Sequence, residues 1–217
     1  MKYKRFPLGA LWTNGYLFWD EKDEKGTAFF IDPGGDVAEV LSFMQQHKLN
    51  LNSVLLTHGH LDHLSGIEAL LSLTGDNIYI AAEDSQLLRR PPEEIQKALR
   101  MRCKGVEQFR TLKDEDILEI GSFRIKVIST PGHTPGSVCY LISYGEDAKQ
   151  SILVSGDTLF AQSVGRTDLP GGDQAELDRS LYKLAALPPE LQVLPGHGPE
   201  TTSGRERKEN PFWPQGA

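Results

Sequence analysis

Cysteine is nearly absent from this chain. Its two thiols, Cys103 and Cys139, stand far apart and form no Cys-x-x-Cys pair. That argues against a disulfide framework and agrees with a reducing compartment. Long hydrophobic runs are missing too, with nothing near the ~20 apolar residues of a membrane span. The stretch from Met1 to Tyr16 has basic residues but no continuous apolar segment of the signal-peptide kind. A cytoplasmic protein without membrane contact is expected. Positive charge is not in excess: 23 Lys and Arg face 30 Asp and Glu, for a formal charge of −7. This opposes indiscriminate nucleic-acid binding, because that affinity rests on neutralising phosphates. Low-complexity segments are lacking as well, and the balance of 39% hydrophobic and 24% charged residues is that of an ordinary soluble globular protein. A single domain over residues 1–217 is expected.

Histidine is present and concentrated. The apolar run Val54-Leu55-Leu56-Thr57 leads directly into His58-Gly59-His60-Leu61-Asp62-His63, which holds half of the six histidines. Neutral imidazoles with a carboxylate are the donor set suited to zinc and neighbouring first-row ions. The structural alternative is a polar loop in which Asp62 caps a helix, since Leu64, Ile67, Leu70, Leu71 and Leu73 continue at helical spacing. Three more metal-type residues follow expected strands: His133 in Thr130-Pro131-Gly132-His133-Thr134-Pro135-Gly136, Asp157 in Ser155-Gly156-Asp157-Thr158, and His197 in Pro195-Gly196-His197-Gly198. Strand-end loops are where a rigid scaffold presents functional side chains, and Pro and Gly there restrict the backbone that aims them. His47, in the last turn of a helix expected over Asp36 to His47, reads as a solvated residue outside the site.

The remaining pattern gives strands over Leu11–Trp19, Thr27–Ile31, Asn77–Ala81, Ile117–Ile120, Phe123–Ile128, Ser137–Ser143 and Ser151–Val154, with a polar turn over Tyr144–Gln150. Helices are expected over Glu83–Leu88, within Arg89–Gly105, and over Gln174–Leu187. The tail from Thr201 is polar until Pro211-Phe212-Trp213, whose aromatics are expected to pack on the body. Strands come in successive runs and outnumber helices, which predicts an α+β layered sandwich.

The spacing His-x-His-x-Asp-His, followed by separate His, Asp and His residues, resembles the metallo-β-lactamase fold superfamily over nearly the whole chain. The resemblance implies a four-layer αββα sandwich with the site at one edge of two sheets. It implies that His58, His60 and His133 bind one metal, that Asp62, His63 and His197 bind a second, and that Asp157 bridges them. The cofactor implied is zinc, one or two ions, with iron or manganese as alternatives.

Within that superfamily, Gly156-Asp157-Thr158-Leu159-Phe160 and Gly165-Arg166-Thr167-Asp168-Leu169-Pro170-Gly171-Gly172 resemble the single-domain glyoxalase II-like hydrolases. This implies hydrolysis of a small anionic thioester, S-D-lactoylglutathione or a related acyl thioester, by a metal-bound hydroxide flanked by Asp62 and Asp157. Zinc β-lactamases typically carry a cysteine or another histidine pattern where this chain has its bridging acid. Arg166 matches the position where the family sets a basic residue on the glutathione carboxylate. The chain departs from two-domain glyoxalase II in three ways: no C-terminal helical domain follows His197, Gly198-Pro199 stands where a tyrosine is usual, and Asp168 replaces an aromatic.

Two features have divided readings. Arg89 to Arg110 holds seven bases against three acids, which fits either a lid over an anionic substrate or a solvated helix face. Asp32, in Asp32-Pro33-Gly34, is either a turn former or a residue behind the ligands that orients one of the histidines. Persulfide dioxygenases form the rival class, sharing the fold, the ligand residues and a Gly-Arg-Thr-Asp run like Gly165 to Asp168. In that reading a single iron sits on His58, His133 and Asp157 with positions open for oxygen. Leu169-Pro170-Gly171-Gly172 favours the hydrolase-like group. A non-catalytic metal-binding or nucleic-acid-processing module ranks last, since the acidic balance opposes it.

Overall fold

Leu17 and Phe18 are adjacent in sequence, and both are fully buried, in different cores. Successive strand side chains point to opposite faces, so such a pair needs cover on both sides of its sheet. The computed structural model, which describes residues 1–145 and 151–214, supplies that cover in layers.

The first sheet holds β1 (Lys2–Leu8), β2 (Thr13–Trp19), β3 (Thr27–Ile31), β4 (Asn50–Leu55), β5 (Ile78–Ala81) and β6 (Arg110–Leu112), in that order. From β3 onward the pairs are parallel, and parallel neighbours need crossovers. These carry α1 (Ala38–Gln46), α2 (Leu61–Leu64), α3 (Leu71–Thr74), α4 (Ser85–Arg89) and α5 (Glu93–Leu99). The second sheet holds β7 (Ile117–Ile120), β8 (Phe123–Ser129), β9 (Val138–Tyr144) and β10 (Ser151–Gly156). After the small hairpin β11 (Leu159–Phe160) and β12 (Ser163–Val164), α6 (Gln174–Ala185) crosses to β13 (Gln192–Pro195), parallel to β10. The edge strand β14 (Thr201–Thr202) and α7 (Ser203–Glu209) follow.

Three apolar layers bind these four structural ones. Leu17, Phe30 and Val54 pack with Val40, Met44, Leu64 and Leu70 from the helical side. Phe18, Phe29 and Leu55 meet Phe123, Ile125, Tyr140 and Val154 between the sheets. Leu153 and Val193 pack with Leu177, Leu181 and Leu184 of α6 and with Trp213. The architecture is the αββα sandwich expected. Its central layer is pinned by Phe29, stacked on Phe18 at 5.1 Å and edge-on to Phe123 at 5.1 Å, contacts worth ~1 kcal/mol each beyond their area.

Several local expectations are corrected. The helix read through Leu64 to Leu73 is broken at Gly66, where a Cβ would lie 2.0 Å from the Gly35 carbonyl oxygen and the amide donates to the Pro33 carbonyl at 2.7 Å. The helix read from Asp36 begins at Ala38, with the Asp36 carboxylate accepting the Ala38 amide at 2.9 Å. Strand β1 was not expected, because Lys2, Lys4, Arg5 and Pro7 mask its alternation; as an edge strand it buries only Phe6 and Leu8. Of the tail aromatics, Trp213 is buried and Phe212 is exposed. Residues 146–150 of the expected polar turn lie outside the described residues. Among the described residues, no helix is long and apolar enough to cross a membrane.

Candidate metal centre

Four loops converge where strands of both sheets end. The loop after β4 carries His58 and His60 and runs into α2, which carries Asp62 and His63; the loop between β8 and β9 carries His133, and the turns after β10 and β13 carry Asp157 and His197. Their donor atoms fall into three overlapping groups: His58–His60–His133, His58–His63–Asp157, and Asp62–His63–His197. Within each group the atoms lie within 4.8 Å of one another. Asp157 stands between them, with Oδ1 3.3 Å from His63 Nε2 and Oδ2 3.5 Å from His133 Nε2 and 3.6 Å from His197 Nε2. Asp62 Oδ2 lies 3.3 Å from His197 Nε2 and 3.6 Å from His63 Nε2. All seven residues singled out in the sequence are brought together.

The far nitrogens of four of these rings are engaged. His133 Nδ1 donates to the Arg166 carbonyl at 2.7 Å and His197 Nδ1 to the Leu11 carbonyl at 3.1 Å. Carbonyls only accept, so both rings carry their proton on Nδ1 and turn the Nε2 lone pair inward. Asp32 Oδ2 receives His63 Nδ1 at 2.9 Å and the Thr57 hydroxyl at 2.7 Å, and Thr57 Oγ1 lies 3.1 Å from His58 Nδ1. With its proton committed to Asp32, Thr57 Oγ1 can only accept from His58. One carboxylate therefore orients two rings, and Asp32 takes up the orienting position.

A metal fits this donor set. His58 Nε2, His133 Nε2 and Asp157 Oδ1 are buried without a hydrogen-bond partner among the described residues, and buried polar atoms left so are costly unless something else satisfies them. Electrostatics divide the cluster. Burial and then the neighbouring imidazoles hold His58 well below its ordinary value, and burial with His133 takes His60 down to about 4. These are neutral donors, the form a metal requires. Burial would lower His63 as well, but Asp157, Asp62 and Asp32 raise it well above its ordinary value. Burial likewise opposes His197, which the Asp62 hydrogen bond and Asp157 raise. Against their own burial, Asp62 and Asp157 are held low, chiefly by His63.

The other candidates lie outside the cluster. His47 stacks on Phe43 at 4.1 Å, exposed at the end of α1. The Arg166 guanidinium makes a bidentate pair with Asp168, both bonds 2.6 Å, in solvent; only its carbonyl touches a ligand histidine. In the basic segment Arg89, Lys97, Lys104 and Arg110 pair with Glu107, Glu93, Glu68 and Asp76. The segment walls a groove of about 1280 Å³ that none of the seven ligand-type residues lines, and α5 buries no residue. This is a surface helix face.

Sequence reading missed Asp84. It is fully buried and accepts the Gly59 amide (2.7 Å), the Gly136 amide (2.8 Å) and the Thr134 hydroxyl (2.7 Å), tying the His58 loop to the His133 loop. The available signal was its place three residues after strand β5, as Asp32 stands directly after β3. Thr13 Oγ1, donating to Asp62 Oδ2 at 3.1 Å, and the Asn14 amide, donating to the Gly196 carbonyl at 2.7 Å, were missed too.

Known proteins carry the same arrangement of chain. Hydroxyacylglutathione hydrolase GloC of Haemophilus influenzae is 35% identical, over 98% of this chain and 98% of its own length. The crystal structure of the BLEG-1 B3 metallo-beta-lactamase superposes with a TM-score of 0.87 at 35% identity, covering 98% of this chain and 99% of that one. The crystal structure of TTHA1623 in a di-iron-bound form gives 0.80 at 34% identity, over 96% and 99%. A family model for the Metallo-beta-lactamase superfamily matches residues 9–197, a span that runs from the β1–β2 turn to the last ligand-type histidine. With the layers, the donor cluster and this match in agreement, the chain belongs to the metallo-beta-lactamase superfamily.

Proposed function

We propose that this chain is a metal-dependent hydrolase of acyl thioesters, S-D-lactoylglutathione or a close relative of it. The observation that carries the reading is Asp157, whose two oxygens face both halves of the donor set, as a two-metal hydrolytic clamp requires. GloC, aligned end to end at 35% identity, supports the thioester as the bond cleaved. His58, His60 and His133 would hold one ion and Asp62, His63 and His197 the other, with zinc, iron and manganese all compatible with the donors. Bound metal would supply polarisation of the carbonyl and a water activated near neutral pH.

The chain's own groups do the rest. Neither cysteine offers a nucleophile: both are buried, and burial pushes the Cys139 thiol up to about 11. Water is the nucleophile in this reading, and Asp157, whose oxygens face the donor cluster, is placed to hold a proton of that water. The leaving thiolate needs no protonation to depart, since its pKa lies far below that of an alkoxide. Asp32, through His63 directly and through Thr57 to His58, keeps the rings aimed as charge develops.

The test is metal analysis of protein purified without added metal, run beside three assays. Hydrolysis of S-D-lactoylglutathione is expected. Bound iron with oxygen uptake on glutathione persulfide and no thioester turnover would replace this reading with an oxidoreductase one, and dominant turnover of a β-lactam such as nitrocefin would replace it with a lactamase one.

A further inference from the structure

The loop that carries His197 has little of its own to hold it. In Pro195-Gly196-His197-Gly198-Pro199 the histidine is the one polar side chain, and the two prolines have no amide hydrogen to give. The loop is also tightly fitted, since a Cβ at Gly196 would lie 2.2 Å from Asp157 Oδ1 and 2.8 Å from His63 Cε1. The Gly196 amide bonds to the Gly156 carbonyl at 2.8 Å, but the loop's carbonyls are anchored from the first sheet. Asn14 of β2, 3% exposed, supplies three donors to them. Its backbone amide gives to the Gly196 carbonyl at 2.7 Å, and its Nδ2 gives to the Pro195 carbonyl at 3.0 Å and the Gly198 carbonyl at 2.9 Å. Both side-chain acceptors are carbonyls, so both hydrogens of one planar NH2 are used and the orientation of the amide is settled. These bonds grip the chain on either side of His197, while the Leu11 carbonyl takes the Nδ1 proton of its ring at 3.1 Å. Thr13, fully buried, gives its hydroxyl to Asp62 Oδ2 at 3.1 Å. Residues 11–14 thus hold two of the three members of the Asp62–His63–His197 half. Among the described residues, none of their hydrogen bonds reaches His58, His60 or His133, whose loops are tied through Asp84 instead.

We propose that Asn14 and Thr13 are positioning residues dedicated to the Asp62–His63–His197 half, so that this stretch, and not the ligands alone, sets whether the chain holds one ion or two. This rests on the two-ion reading above and deepens it. Position 14 needs an amide, because a carboxylate of the same size turns oxygen towards two carbonyls and pushes the loop away. Position 13 needs a hydroxyl, because valine keeps the shape of threonine without the donor.

The experiment titrates zinc at pH 8 into metal-free wild type, Asn14→Asp and Thr13→Val in competition with a chromophoric chelator. Cobalt is titrated in parallel and its visible absorption followed, with His197→Ala and His60→Ala as references. Wild type should take up two ions. In each variant one dissociation constant should stay within about twofold of wild type and the other weaken by ~10–100-fold. The cobalt absorption missing from each variant should match that missing from His197→Ala. A general loss of packing would weaken both constants together, so equal weakening overturns the brace, as does a match to His60→Ala or a pair of constants unchanged in either variant. If Asn14→Asp does not fold, Thr13→Val decides by the same criteria. A single ion bound by wild type overturns the two-ion reading and the brace with it, whereas two ions held as tightly by the variants as by wild type remove the brace alone.

Discussion

Asp32 holds two ligand histidines with one carboxylate, and this makes it the residue whose chemistry, apart from the ligands themselves, the centre depends on most. Its Oδ2 takes His63 Nδ1 and the Thr57 hydroxyl, and its Oδ1 takes the Thr57 amide at 2.8 Å. Asp32→Asn preserves size, and asparagine tolerates the left-handed φ of 53° that the position demands. An amide, however, sets an NH2 against at least one of these donors. The expected outcome is a folded protein with metal affinity lower by ~10–100-fold, measured by competition against a chromophoric chelator, while His47→Ala leaves affinity unchanged. Affinity within twofold of wild type in Asp32→Asn would remove Asp32 from the orienting role. At this scale the sequence was informative where a residue's neighbours in the chain mark it: three histidines in six residues, and the Pro-Gly turns around His133 and His197, carry their own signal. Arg166 shows the limit. Its motif singled out the guanidinium, which in the fold pairs with Asp168 in solvent, whereas the contact with a ligand histidine is made by its carbonyl, on His133; backbone roles leave no trace in residue type.

Elements are set in place around the centre by a second buried acid that no local pattern reveals. Asp84 accepts donors from positions 59, 134 and 136, and a contact across such separations exists only once the sheets are assembled. Asp84→Ala leaves the Gly59 and Gly136 amides and the Thr134 hydroxyl buried without their acceptor, at ~1–3 kcal/mol for each group not rescued by water. A lower urea midpoint with an unchanged m value is the expected result, and metal retention should weaken because the His58 and His133 loops are no longer tied. An unaltered midpoint would show that the loops hold each other without it. The same distinction separates legible elements from illegible ones. Strands β2, β3, β9 and β10 are covered on both faces, so their apolar runs declare them, and β8 is declared by its alternation. By contrast β1, β6 and β14 lie at sheet edges, and α7 (SGRERKE) has no apolar period because what it buries is Ser203 and the Glu206 carboxylate that braces the Phe160 hairpin. Their stability is tertiary, and tertiary contacts are what a local window lacks.

Across the whole molecule, the centre straddles the seam between the two sheets. His58, His60, Asp62 and His63 come from the end of one sheet and His133, Asp157 and His197 from the other. Polar contacts already join the sheets there: the Tyr16 hydroxyl donates to the Pro195 carbonyl at 2.8 Å, the Tyr140 hydroxyl to the Leu56 carbonyl at 2.6 Å, and the Val138 amide to the Thr57 carbonyl at 2.8 Å. Metal bound across this seam would stabilise the folded chain by mass action, ~2.7 kcal/mol at a hundredfold excess over Kd, so chelation should lower the melting temperature and added ion restore it. Proton competition makes the two halves unequal. Metal needs unprotonated imidazole. His58, held far below its ordinary value, and His60, at about 4, have no proton to displace near neutrality. His63 and His197 are raised above the ordinary histidine value, so they keep their protons to higher pH, and an ion entering beside Asp62 must expel them. The sign follows: affinity of the Asp62–His63–His197 half rises as pH climbs through neutrality, and more steeply than that of the half to which His58 and His60 belong. Dialysis against limiting zinc should therefore leave about one ion per chain at pH 6 and about two at pH 8, and calorimetry in buffers of different ionisation enthalpy should register more proton release with the second ion than with the first. Equal stoichiometry at both pH values, or no more proton release with the second ion than with the first, would show that the three carboxylates around His63 do not hold its proton as the geometry requires.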